Sequence, residues 1–206
     1  MRLVALLVVL LPLAINIYCF PLYTILIFVT NWALLLQIYL CILVYIRGQD
    51  PKKSQNDSSK LSNLQVIFEV TLLLNMVVDF GYWSLVHKHA MIKHPENPER
   101  FQMYLLHINP TISWLLLWLS SEVRMVDWHC LILVPCGLVY MAVNFGATKM
   151  RDRPLYPFMT WESIPGTLLI CFALMAGFLG IYVAAARLAN YFKGEFGQKS
   201  SRVKDK

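Results

Sequence analysis

The feature that most constrains this chain is a run of 44 consecutive residues, Leu3 to Ile46, that contains no Asp, Glu, Lys, Arg or His. About 20 apolar residues of helix cross the hydrocarbon core of a bilayer, so the run is too long for one span and right for two. Pro21 is the natural break, because proline cannot donate a helical hydrogen bond and restricts the residue before it. We therefore predict a tight pair of membrane helices over residues 3–18 and 23–46.

The remainder of the chain also has the composition of an integral membrane protein. Its 206 residues are 58% hydrophobic and only 15% charged, against about 25% charged in an average soluble domain. Arg2 followed by an apolar core also fits a signal peptide, but no small-x-small cleavage site is obvious after it, so we interpret the first helix as a retained span. We predict an all-α, six-helix transmembrane bundle over residues 1–190 and a basic tail over 191–206, with spans at 3–18, 23–46, 64–86, 101–121, 128–148 and 163–186.

The distribution of positive charge predicts how these six spans are oriented. Of the 18 Lys and Arg residues, 12 lie on the side that the two termini share and 6 lie on the other side. Positively charged loops stay in the cytosol, so we predict that both termini are cytosolic. The glycosylation sequon at Asn56 would then lie in the cytosol and is expected to stay unglycosylated. The terminal Arg202-x-Lys204 pattern resembles a basic retrieval signal. We therefore predict the endoplasmic reticulum or another endomembrane, with the plasma membrane as the alternative.

Charge and cysteine content exclude several other functions. The net charge of +6 comes mostly from the loops and the tail, so it reports topology rather than nucleic-acid binding. The five cysteines lie in or beside apolar runs, outside any CxxC pair, and are interpreted as small hydrophobic residues. We expect no disulfide, metal or cofactor, and the predicted partners are a lipid ester substrate and membrane lipids, with protein partners left unknown.

Polar side chains at membrane depth each need a reason, because a charged residue at the centre of a membrane helix costs roughly 2.5–3.5 kcal/mol on insertion. The predicted orientation places one group of them at a similar depth, in the lumen-facing half of the bundle: Thr30, Asn31, Asp79, His107 and Asn109. Glu69, Gln37 and His129 fall outside this group.

This group has a chemical interpretation. A threonine hydroxyl is a weak nucleophile unless a base lies beside it, and histidine is the usual base near neutral pH. Asp79 or Asn109 would orient the His107 ring, and the Asn31 or Asn109 amide would donate to an oxyanion. A hydroxyl and an imidazole within an apolar bundle would suit acyl transfer from a lipid ester, with Thr30 as the nucleophile.

Structural interpretations of the same residues stay open. A threonine in a membrane helix usually bonds the carbonyl one turn back or a neighbouring helix. His107 lies near Pro110 and would satisfy the carbonyl that this proline frees. Most aromatic residues, among them Tyr156 and Trp161, are interpreted as anchors at the membrane interface. A proton or ion pathway is less favoured, because the polar residues do not form a file across the bilayer.

Several short motifs occur in an order that resembles one known family. They are Phe28-x-Thr30 with Gln37, Tyr82-Trp83 followed by Pro95, His107 in the fourth span, Tyr156-Pro157-Phe158, and Pro165-Gly166 before the last span. Their order and spacing resemble the androgen-induced transmembrane protein family, including its rolling-stone relatives, over most of the chain.

The resemblance implies a six-helix bundle with cytosolic termini and a threonine hydrolase that cleaves fatty acid esters of hydroxy fatty acids. Carried over by position, it makes Thr30 the nucleophile and His107 the base. The segment Leu106-His107-Ile108-Asn109-Pro110-Thr111 departs from the pattern, because the family's hydrolases have a His directly before the Thr and a second His upstream. The rolling-stone branch implies the alternative of a non-catalytic membrane protein with a scaffold or cell-fusion role.

Overall fold

The computed structural model describes residues 1–46, 63–93, 97–121 and 123–204, and within these ranges the chain is helical and has no β-strand. The all-α fold class is therefore confirmed. The sequon at Asn56 and the motif residue Pro95 lie outside the described residues, as do the side chains of the retrieval pattern. The helices are α1 (Arg2–Cys19), α2 (Thr24–Ile27), α3 (Val29–Ile46), α4 (Asn63–Gly81), α5 (His87–Lys93), α6 (Asn97–Leu119), α7 (Leu133–Arg151) and α8 (Ile164–Lys204).

Two of the helical segments extend well past the ends of the predicted spans. A π-helical turn, Tyr82–Val86, joins α4 to α5 without interruption, so the third apolar segment continues past residue 86. The last helix, α8, does not end near residue 186 but extends to Lys204 and takes in most of the predicted tail. A 3-10 turn, Asp127–Ile132, precedes α7.

Among the described residues, five helical segments are long and apolar enough to cross a membrane, which is the pattern of an integral membrane protein. They are Arg2–Cys19, Val29–Ile46, Asn63–Ile92, Asp127–Arg151 and Ile164–Gly194. Helix α6, the predicted fourth span, is not among them. Its polar residues Gln102, His107 and Ser113 lower its mean hydropathy, but all three are buried in the protein rather than turned to lipid. A helix enclosed by its neighbours can carry such residues because the bundle supplies their partners.

Helix α6 is bound along α1 by side chains that donate to backbone carbonyls. The three donor–acceptor pairs, each at 2.9 Å, are Gln102 to Pro12, Asn109 to Val8 and Ser113 to Ala5. Pro12 lies inside α1 and has no N–H, so the Val8 carbonyl one turn earlier loses its helical partner. Asn109 replaces that partner, and the proline in α1 thereby becomes a fixed contact between two helices.

A second polar contact joins α3, α4 and α6 in the centre of the bundle. Gln37 is fully buried and donates to the Ser113 hydroxyl at 3.1 Å. The Asn75 amide donates to the Gln37 carbonyl oxygen at 3.2 Å. One glutamine therefore connects three helices.

Glu69 is the centre of a third buried network, where α4, α8 and the 3-10 turn meet. Its carboxylate accepts hydrogen bonds from the His129 Nδ1, from the Tyr182 hydroxyl at 3.0 Å and from Gln65 at 3.0 Å. Glu69 and His129 are each only 1% exposed. Such a carboxylate is tolerated at this depth because each of its oxygens is paired.

We predict that His129→Ala destabilises the protein strongly, because it removes one of the donors to a buried carboxylate. The expected loss in the free energy of unfolding is about 2–4 kcal/mol, measured by titration with a denaturing detergent in mixed micelles. The matched control is Arg187→Ala, which breaks a largely exposed ion pair with Asp127 and is expected to cost less than about 1 kcal/mol. Equal losses for the two variants would contradict the assignment.

Candidate active site

A cavity of about 880 Å³ contacts most elements of the bundle. Its walls come from the end of α1, the start of α3, α4 with its π-helical turn, α6, α7, the loop before α8, and α8 itself, and they are largely apolar. Ligand pockets in proteins typically occupy about 300–1,000 Å³. At the end of the cavity where α7 stops, its lining includes His89, Arg151 and Arg153, here called the rim, and the two arginines make this rim cationic.

The predicted second span, residues 23–46, is divided in the structure. Helix α2 ends at Ile27, Phe28 is not helical, and α3 begins at Val29. The Asn31 N–H donates to the Phe28 carbonyl at 3.0 Å, which closes the first turn of the new helix. The first N–H groups of a helix have no intrahelical acceptor, so this break places a helix N-terminus at the cavity wall.

Thr30 is the second residue of α3, and it lines the cavity. A threonine here would usually bond the carbonyl of Leu26 or Ile27, three or four residues back. The Trp32 indole already donates to the Leu26 carbonyl at 2.9 Å, and the Tyr140 hydroxyl donates to the Ile27 carbonyl at 3.2 Å. Within the described part of the chain, no hydrogen bond involves the Thr30 hydroxyl. The bond that would make Thr30 purely structural is therefore not formed.

His107 lines the same cavity from α6 and is 6% exposed. Its ring stacks on the Tyr82 ring, with 3.6 Å between the centroids and 7° between the planes. The His107 Nδ1 has no hydrogen-bond partner among the described residues, so the imidazole does not satisfy the carbonyl freed by Pro110 through this atom. The stack, rather than a hydrogen bond at Nδ1, fixes the plane of this ring.

Tyr82 owes its position to the π-helical turn, in which one extra residue is inserted into a helical turn. Its hydroxyl lies 3.2 Å from the His87 Nδ1, so a second histidine also holds the phenol in place. Such turns are frequently found at functional sites. This contact of Tyr82 could not be predicted, since a π-helical turn leaves no clear signal in the sequence.

Asp79 and Asn109, predicted to orient His107, have other partners in the structure. The Asp79 carboxylate accepts a hydrogen bond from the Thr111 hydroxyl, which links α4 to α6. The Asn109 amide donates a hydrogen bond to the Val8 carbonyl on α1. Neither residue lines the cavity. The predicted contact with His107 is therefore not the one observed, because each polar group is drawn to an acceptor or donor on the adjacent helix.

Asn31 lines the cavity beside Thr30, and its predicted role as a donor to an oxyanion stays a prediction. Its side-chain oxygen accepts a hydrogen bond of 2.6 Å from the Asn16 amide of α1, and both residues are buried. This bond fixes the first turn of α3 against α1. Asn16 was not selected from the sequence, although an amide inside an uncharged span was a usable signal.

The segment between α7 and α8 has many exposed residues, but some of its aromatic side chains are buried in the bundle. Trp161 is 5% exposed, packs against Met141, and donates from its indole to the Asn144 side-chain oxygen at 2.7 Å. Its φ of 61° is an uncommon conformation for a bulky residue. Tyr156 lines the cavity, and its hydroxyl lies 3.2 Å from the Tyr140 hydroxyl. Tyr156 and Trp161 therefore contact other parts of the protein, whereas the interface anchors predicted from the sequence would turn their rings to the membrane surface.

In the described ranges of the chain, no three His, Cys, Asp or Glu side chains lie close enough together to hold a metal ion. Comparisons with protein-family models, with curated proteins and with solved structures found no match for this chain. The family resemblance noted from the sequence therefore stays a prediction.

We predict that Tyr82→Leu loosens the His107 ring and makes it easier to modify. Aromatic pairs contribute about 0.5–1.5 kcal/mol beyond their burial, so carbethoxylation of His107, followed by mass spectrometry, is expected to be about two- to tenfold faster. Tyr82→Phe keeps the ring and is expected to react like the wild type. His89, which is exposed, serves as the internal reference. Identical His107 rates in all three proteins would show that the stack does not hold the ring.

Proposed function

We propose that this chain is a membrane-embedded hydrolase of lipid esters, with Thr30 as the nucleophile and His107 as the general base. One observation carries the proposal: the Thr30 hydroxyl and the His107 imidazole, which come from different helices, line the same largely apolar cavity. The carbonyls that would usually bind this hydroxyl are occupied by Trp32 and Tyr140. A nucleophile needs a hydroxyl that is available to substrate and a base nearby.

The proposed reaction has two halves. The Thr30 oxygen attacks the ester carbonyl carbon while its proton passes to His107, and a tetrahedral oxyanion forms. Collapse breaks the ester bond, and the alcohol leaves with the proton from His107. A water molecule then attacks the acyl-threonine, again giving its proton to His107. The second collapse releases the fatty acid and returns the proton to Thr30.

The cavity fits a lipid better than a polar substrate. Its walls are mostly apolar, whereas the rim of His89, Arg151 and Arg153 offers positive charge at one end only. An amphiphilic ester would place its polar end at the rim and its chains between the helices. Exclusion of bulk water from such a site strengthens each electrostatic contact with the developing oxyanion.

A non-catalytic membrane protein, with the scaffold or cell-fusion role of the rolling-stone relatives, is the second candidate. The observation that favours it is that three of the five polar residues selected from the sequence pair with neighbouring helices, namely Asn31, Asp79 and Asn109. If Thr30 and His107 also serve only to hold helices together, substituting them lowers the thermal stability of the protein and abolishes no enzymatic activity.

The enzyme proposal predicts that Thr30→Ala and His107→Ala each abolish release of fatty acid from a branched fatty acyl ester. The expected loss for His107→Ala is at least about 10²-fold, in the range typical of a general base. Thr71→Val is the matched control, because the Thr71 hydroxyl is buried and bonds the Ile67 carbonyl at 2.6 Å in the usual structural way. A fluorophosphonate probe is expected to label the wild type and Thr71→Val but not Thr30→Ala. Normal turnover by folded Thr30→Ala would end the proposal.

We further propose that α6 crosses the membrane as a sixth span and that both termini face the cytosol, in the endoplasmic reticulum or another endomembrane. Support comes from the three hydrogen bonds that bind α6 along α1 and from the excess of Lys and Arg on the side of the termini.

The topology is tested by an epitope tag at each end of the chain. After selective permeabilisation of the plasma membrane, antibodies are expected to reach both tags, because an even number of spans returns the chain to its starting side. A single accessible tag would mean that only the five apolar helices cross.

A further inference from the structure

The cavity continues past Thr30 and His107 towards the start of α7. This part, called the inner arm, is lined by Leu74, Leu133, Gly137, Met175 and Phe178, which come from α4, α7 and α8. Its length follows from α7, where Tyr140 packs against Trp32 near the nucleophile and Leu133 lies seven residues deeper. Seven residues of helix rise about 10 Å. The five residues that define the inner arm carry no charged or hydrogen-bonding side chain.

Gly137 of α7 and Met175 of α8 lie next to each other in this arm. A Cβ atom built on Gly137 would lie 3.2 Å from the Met175 sulfur, which is tighter than ordinary van der Waals contact. Only a glycine lets the thioether lie here without displacement. A larger side chain at position 137 has to push Met175 aside or fill the inner arm itself.

Methionine is the most adaptable of the large apolar side chains, and here it packs against glycine, which has no side chain. The two residues are therefore the part of the wall at which a change of side-chain size alters the depth of the arm most directly. The opposite end of the cavity carries the cationic rim. A hydrocarbon chain is thus favoured in the inner arm, and a polar group is favoured at the rim.

We propose that Gly137 and Met175 determine which acyl chain length the protein accepts, with the methyl end of a straight fatty acyl chain lying against them. The ligand class is an ester of a long-chain, unbranched fatty acid whose carbonyl is at Thr30. The part concerning esters rests on the proposed function; the part concerning chain length rests on the inner arm alone.

The test uses the full-length protein in lipid nanodiscs and a series of straight-chain esters from octanoyl to stearoyl. Gly137→Leu shortens the arm, so the optimum of kcat/KM is expected to move to shorter chains. Each methylene that loses its place in the cavity costs roughly fourfold in affinity, so the longest accepted ester is expected to lose at least about fifteenfold. Met175→Ala deepens the arm, and the optimum is expected to move to longer chains.

Gly146→Leu is the matched control. Gly146 lies on the same helix, does not line the cavity, and has open space where a Cβ would be added. Its chain-length profile is expected to equal that of the wild type. Because Gly137→Leu and Met175→Ala shift the optimum in opposite directions, general damage to the fold cannot imitate the result. The same profile in all four proteins would overturn the proposal.

A binding measurement separates this inference from the proposed function. In a Thr30→Ala background, affinities for saturated fatty acids from octanoate to stearate are measured by displacement of a fluorescent fatty acid. The Gly137→Leu and Met175→Ala shifts are expected there too. If these shifts appear while the wild type hydrolyses no ester, the hydrolase proposal fails and the chain-length inference stands as a property of lipid binding. If esters are hydrolysed but neither variant shifts the profile, only the chain-length inference fails.

Discussion

The hydrogen bonds between α1 and α6 are the constraint on which the bundle depends. Pro12 removes a helical hydrogen bond from α1 and leaves the Val8 carbonyl unpaired in an apolar setting, which costs several kcal/mol unless a donor is supplied. Asn109 supplies that donor. The same contact fixes α6, and with it His107, against the helices that carry Thr30. A defect in one helix therefore determines where the polar face of another must lie.

The candidate site forms where regular helix is interrupted. The break at Phe28 starts α3 beside the cavity, the π-helical turn presents Tyr82 to His107, and the irregular segment before α8 brings Tyr156 into the bundle. Each interruption leaves backbone groups that must find partners inside the protein. Tyr140 shows the connection, because its hydroxyl bonds both the Ile27 carbonyl released at the break and the Tyr156 hydroxyl.

Hydropathy and charge were enough to predict an all-helical membrane protein, because span length and polar content are local properties of the sequence. They also placed Thr30, Asn31 and His107 at a similar depth, and all three line one cavity. The partners of Asp79 and Asn109 could not be predicted, since they depend on which faces of α4, α6 and α1 meet. The break at Phe28 in the second span could not be predicted either, because no proline marks it. It is stabilised by hydrogen bonds from the Tyr140 and Trp32 side chains.

Two buried histidines, His129 and His107, make different kinds of contact in the same bundle. His129 is held at Nδ1 by Glu69, whose other donors include Tyr182, and this network joins α4 to α8 and the 3-10 turn. His107 has no partner at Nδ1, is oriented by an aromatic stack, and lines the cavity that Thr30 also lines. The His129 ring is thus held at one nitrogen by a buried carboxylate, whereas the His107 ring is held by its face and its Nδ1 has no partner among the described residues. That difference in contacts, more than depth or sequence motif, makes His107 the base in the proposed reaction.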